Sequence, residues 1–194
     1  MITYAKFKKL NIDTSSIGWE ASNNEVVYFC TPKGAKIIGR AGVDGIHYCT
    51  VRGLGETIFA VSPMNLHGQY VRPIARNLED LLRLILSCLD LNIIEQAWAW
   101  DEDQLSEQIE EVRNSEYFDE TPLKLIRDKC GLEPMEEPYK YLYKLQRSFD
   151  YGSIPYTKEY YETVDDSEWQ PPEWKVTIDG IFFPSVAKVE KKLF

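Results

Sequence analysis

Histidine is scarce in this 194-residue chain, with two copies, His47 and His67. Cysteine stands at four, Cys30, Cys49, Cys88 and Cys130, widely scattered and without a C-x-x-C pair. A zinc site needs closer ligand pairing or supporting histidines, so the pattern argues against one. In a reducing compartment these cysteines read instead as small buried hydrophobes. The chain also has no H-E-x-x-H, no G-x-S-x-G and no P-loop. Gly53-Leu54-Gly55 lacks a third glycine, and a strand pattern follows where a phosphate cradle needs a helix N-terminus. No cofactor is expected.

Long hydrophobic runs are missing as well. The greasiest region, residues 78–100, is broken by Glu79, Asp80, Arg83, Asp90, Asn92, Glu95 and Gln96, whereas a membrane span needs roughly 18 uninterrupted apolar residues. The opening MITYAKFKKLNIDTSS has lysines but no apolar stretch after them, so no signal peptide is expected and a cytoplasmic location is. Positive charge is in short supply too. The net charge is −9, and it is unevenly placed: residues 1–100 carry 10 basic and 9 acidic side chains, residues 101–194 carry 12 and 22. Phosphate-driven nucleic-acid binding is disfavoured by that balance, and a basic protein partner suits it. Acidity serving only solubility is the plainer alternative. No feature indicates an oligomeric state.

What is present is the material of a globular core, 44% apolar and 13% aromatic. Four segments have strand character: 25–31 (EVVYFCT), 35–40, 45–52 (GIHYCTVR) and 57–62 (TIFAVS). The last two, separated by a short glycine-containing loop, predict an antiparallel hairpin. In the third, Ile46, Tyr48, Thr50 and Arg52 fall on one face and His47, Cys49 and Val51 on the other. A loop is expected over 64–76 and then a helix, with Asn77 as N-cap, Glu79 and Asp80 in the first turn, and Leu78, Leu81, Leu82, Ile85 and Leu89 as its core face. Further helices are predicted over 91–100, over 101–113 with Asp101 or Asp103 as cap, from Pro122 to a stop at Gly131, and from Pro138. Residues 150–172 read as an extended wrapping segment, and 173–183 as a strand with a possible Asp179-Gly180 turn. The expectation is an α+β fold, an antiparallel sheet of about four strands packed on a long helix, then a helical extension and a C-terminal strand or hairpin. Residues 1–100 form the α+β unit, and 101–194 form an acidic extension packed on it.

Two functional readings compete. In one, His47, Cys49 and His67 form the site of a small hydrolase or metal-dependent enzyme. However, His47 and Cys49 share a face with Val51, and an i, i+2 pair on a strand is more often packing than chemistry. In the other, the chain is a non-catalytic binding protein whose anchors are aromatic. Trp98, Trp100, Tyr139, Tyr141, Tyr143, Tyr151 and Trp174 are candidates, those at helical spacing being more often core, and the tail group Tyr156, Tyr160, Tyr161, Asp165, Asp166, Glu168 and Trp169 mixes aromatics with acid in the way binding hot spots do.

The order GIHYCTVRGLG, TIFAVSPMN, YVRPIARNLEDLLRLIL, ending in Ile74-Ala75-Arg76-Asn77-Leu78-Glu79-Asp80-Leu81-Leu82, resembles the central part of the SUKH superfamily over residues 25–90. That group includes yeast cell-wall-synthesis regulators and bacterial immunity proteins. The amino-terminal helix and Asn-Gly-Gly-like turn usual in the family have no clear counterpart in residues 1–24. The resemblance implies a binding scaffold rather than an enzyme, of the immunity-protein kind that neutralises a basic, nuclease-type toxin.

Overall fold

A computed structural model describes residues 2–21, 27–65 and 69–164. Its centre is a four-stranded antiparallel meander of β1 (Ala35–Arg40), β2 (His47–Val51), β3 (Ile58–Val61) and β4 (Val71–Ala75), paired in the order β1-β2-β3-β4. Around it lie α1 (Tyr4–Lys8), α2 (Leu78–Cys88), α3 (Leu91–Gln96), α4 (Glu102–Arg113), α5 (Thr121–Cys130), α6 (Pro138–Ser148) and α7 (Lys158–Thr163). The α+β expectation therefore stands, with a different set of four strands. Residues 27–31 of the first expected strand form loop and turn, while β4 lies where a loop was expected. The strand expected over 173–183 lies outside the described residues.

The meander follows from alternation and glycine. Gly53 and Gly55 carry φ of 94° and 68° between β2 and β3, a left-handed backbone that other residues adopt only under strain. Strand alternation then sends Tyr48, Ile58, Ala60 and Ile74 to one face and Cys49, Val51, Phe59, Val61 and Val71 to the other. The first face packs on α2, whose Leu81, Leu82, Leu84 and Ile85 are fully buried. Asn77 caps this helix by accepting the Asp80 amide. The same core runs on into Leu105, Leu123, Ile126 and Leu142, so the helices beyond residue 100 share it. Polar ties reinforce that join: the Tyr141 hydroxyl donates to Asp80 Oδ2 at 2.6 Å and accepts the Arg76 amide at 2.9 Å.

Both sheet edges are blunted. On β1, Tyr4 OH and Trp19 Nε1 donate to the Ile38 carbonyl, and Glu20 bridges to Arg40. The register shifts at Gly39, where an added Cβ would lie 2.0 Å from the Trp19 indole nitrogen. On β4, Pro73 contributes no N–H, and its carbonyl accepts from Gln146 Nε2 of α6 at 3.4 Å. Unpaired strand edges invite pairing with other chains, so covering them favours a monomeric sheet.

The second sheet face has its own cover. After α6 the chain doubles back as a strap, residues 149–164, which brings Phe149, Tyr151, Ile154, Tyr156 and Tyr160 against Cys49, Phe59, Val61 and Val71. Phe149 meets Phe59 edge-on at 5.3 Å. Over residues 150–164 the expected wrapping segment is thus present, with α7 set into it where only extended chain was expected, and its remainder, 165–172, lies outside the described residues.

Candidate functional site

The acidity of the second half converges on one helix and the loop after it. In α4, Leu105 is buried and Ile109 and Val112 pack against the core, a spacing that turns one stripe inward. The outward positions are Glu102, Asp103, Glu107, Glu110 and Glu111, all exposed. A full capping box holds the first turn, with Asp101 Oδ1 accepting the Gln104 amide and Gln104 Oε1 accepting the Asp101 amide. The loop continues the field with exposed Glu116, Asp119 and Glu120, and it presents Tyr117 at 84% exposure. Hydrogen bonds from Thr121 hold the Asp119 carboxyl below its usual range, which keeps it charged. Between residues 101 and 120 there are nine carboxylates against a single cation, Arg113, which pairs with Glu110.

A cleft of about 280 Å³ opens at the start of that helix, between the Ala97–Ala99 turn and α6. Trp98, Trp100, Tyr139 and Tyr143 supply its rings, and Asp101 and Arg147 its charges. The protein's own arginines already stack on two of these rings: the Arg72 guanidinium lies 4.8 Å from the Trp98 ring centre and that of Arg147 4.5 Å from Tyr143. Behind Trp98, Arg72 and Glu95 form an ion pair at 1% and 5% exposure. Ser62 Oγ donates to Glu95 and accepts from Arg72 Nη2, and the Gln69 carbonyl takes Nη1. Arg72 Nε has no hydrogen-bond partner. This trio went unrecognised in the sequence, although a lone arginine in VRPIA and a lone glutamate in LNIIEQ are the mark of a buried pair.

Of the tail candidates, Tyr156 and Tyr160 are half-buried in the strap, their rings stacked 3.7 Å apart and 8° from parallel. Burial raises both phenols above their ordinary value. These two rings cover the sheet, and Tyr161 alone of the three is exposed, at 63%. Asp165, Asp166, Glu168 and Trp169 lie outside the described residues.

His47 and Cys49 are both fully buried. The Gly45 carbonyl can only accept, so His47 Nδ1 donates to it at 2.9 Å. The Thr31 hydroxyl, which already accepts the Tyr28 amide, donates to Nε2 at 3.1 Å. Both ring nitrogens are therefore committed, and burial lowers the imidazole's proton affinity. Burial also pushes the Cys49 thiol up to about 12, the opposite of what a nucleophilic thiolate needs. His67 lies outside the described residues. Among the described residues no group of three or more His, Cys, Asp or Glu side chains is placed to hold a metal ion, and no helix is long and apolar enough to cross a membrane. No protein-family model matches the chain, and no curated protein or solved structure is significantly similar to it.

Proposed function

We propose that this protein is a non-catalytic binding scaffold and that a basic protein docks on the outer face of α4 and the loop after it. The observation that carries the reading is the concentration of nine carboxylates there, on a helix whose inner stripe is fixed to the core, with Tyr117 exposed among them. A rigid field of one sign raises the encounter rate of an oppositely charged partner and gives a surface that phosphate-binding proteins can mistake for their substrate. The SUKH-like order of strands and helix adds the partner class, a basic nuclease-type toxin whose phosphate-binding surface the acidic face would occupy.

The test is association kinetics with the protein that copurifies with the full-length chain, re-bound after purification. The triple variant Glu107→Lys, Glu111→Lys, Glu116→Lys changes only exposed side chains. It should fold normally and slow association by about ten-fold or more at low salt, with the gap closing at high salt. An acidic partner, or an unchanged rate, removes this face from consideration. For the toxin reading, one equivalent of the scaffold should abolish the partner's nuclease activity.

A further inference from the structure

We infer that the cleft between the Ala97–Ala99 turn and α6 receives an arginine side chain from that basic partner, stacked on Trp100 and bonded to Asp101. This deepens the reading above and rests on it.

The cleft is continuous with the acidic field, because Asp101 both lines it and caps the helix that carries Glu102, Asp103, Glu107 and Glu111. A positive group drawn to the outer face of α4 therefore meets the cleft at the N-terminal end of that helix. Its chemistry there favours a flat donor. Asp101 spends Oδ1 on the Gln104 amide, while Oδ2 makes no hydrogen bond among the described residues. The Trp100 ring is half-buried against the core, and among the described residues it has no cation and no second ring stacked on it. Trp98 and Tyr143, by contrast, already carry Arg72 and Arg147. Among the described residues the cleft thus brings an unstacked indole next to a carboxylate oxygen without a hydrogen bond, and the two neighbouring rings show what such rings take in this protein.

Arginine is preferred to lysine for a physical reason. A planar guanidinium stacks on an indole while its in-plane N–H groups reach a carboxylate, whereas an ammonium is a strongly hydrated point charge that gains less from the ring. Arg147, the cleft's own cation, is stacked on Tyr143. A volume of about 280 Å³ is large enough for one such side chain.

Blocked hexa-arginine and hexa-lysine peptides, equal in length and charge, provide the probe, with binding followed by calorimetry and by the indole N–H resonances of the full-length protein. Hexa-arginine should bind more tightly than hexa-lysine and shift the Trp100 signal. Asp101→Asn removes the charge but keeps a good N-cap, so the helix should persist by circular dichroism. It and Trp100→Leu should each weaken hexa-arginine about five- to ten-fold and narrow the arginine-over-lysine preference. The α4 lysine variant should weaken both peptides alike. If Asp101→Asn and Trp100→Leu bind hexa-arginine as the wild type does while the α4 variant binds poorly, the cleft assignment falls and the acidic docking face survives. If the wild type binds neither peptide, both fall.

Discussion

Removing the carboxylate of Glu95 leaves a guanidinium stranded in the interior. Arg72 is 1% exposed, and burial already pulls its proton affinity down against the pull of Glu95. Breaking a buried pair by deleting one partner costs about 3–5 kcal/mol. Part of that is offset here, because the Trp98 face and the Ser62 and Gln69 oxygens remain, and a desolvated cation–π contact retains about 1–2 kcal/mol. The expected loss for Glu95→Ala is therefore about 3 kcal/mol, which in a domain of this length is about 6–12 °C in Tm. Glu95→Gln keeps a carbonyl for Nη2 and should lose about half as much. The double variant Arg72→Met, Glu95→Leu removes both charges and fills the space, and should lie within about 1 kcal/mol of the wild type. Urea denaturation of the four proteins decides the matter. A loss under about 1 kcal/mol in Glu95→Ala, or a double variant less stable than Glu95→Ala, would refute the placement of this pair in a closed, water-excluding interior.

Two further outcomes follow from local geometry. His47 is held neutral by burial, so its folded affinity for a proton lies below the unfolded value of about 6.5. The unfolded chain then binds the extra proton first, and stability falls as pH drops below about 6.5. Chemical denaturation at pH 7 and pH 5 should show a smaller drop in His47→Gln than in the wild type; equal drops would mean that the ring is not buried neutral. Gly39→Ala places a methyl group on the Trp19 indole and should destabilise by about 1–3 kcal/mol with a change in the near-ultraviolet tryptophan spectrum. A neutral effect would show that Trp19 does not cross β1 at Gly39.

The parts of the fold that the sequence shows well are those where local pattern and final burial agree. Asn77 followed by Glu79 and Asp80 is a helix start that needs no tertiary help, and α2 lies where that signal puts it. Pro122 with Gly131, and Pro138, likewise bracket α5 and open α6 because proline and glycine act through their own backbone. The failures have a different origin. β4 is VRPIA, and its arginine and proline both argue against a strand until one sees that Arg72 has Glu95 to meet and that Pro73 lies on an edge needing no N–H. Residues 27–31 look like strand by composition, yet Tyr28, Phe29 and Cys30 are apolar because they pack against the second core. α1, only five residues long, has too few turns to register a period.

The candidate surface divides the same way. Charge asymmetry about residue 100 was visible in the sequence, and α4 gives it a place. Trp98, Trp100, Tyr139 and Tyr143 stood among the aromatic candidates, but no periodicity could bring the first two to the last two across some forty residues of intervening chain. Tyr156 and Tyr160 illustrate the converse, since a residue outside a long helix can still be core when the chain doubles back over a sheet.

That doubling back bears on how the molecule is made. The meander is complete by Ala75, and one of its faces is closed within the next fourteen residues by α2. The other face has Tyr28, Phe29, Cys30 and Tyr70 against it early but gains the rest of its cover only from residues 149–164, so Phe59 meets Phe149 after a long interval of synthesis. For that interval a ribosome-bound chain leaves Cys49, Phe59, Val61 and Val71 only partly covered, a patch of the kind that chaperones engage and that drives aggregation. A stop codon placed just after α6 would make this exposure permanent, leaving a chain with most of its elements and one half-covered side.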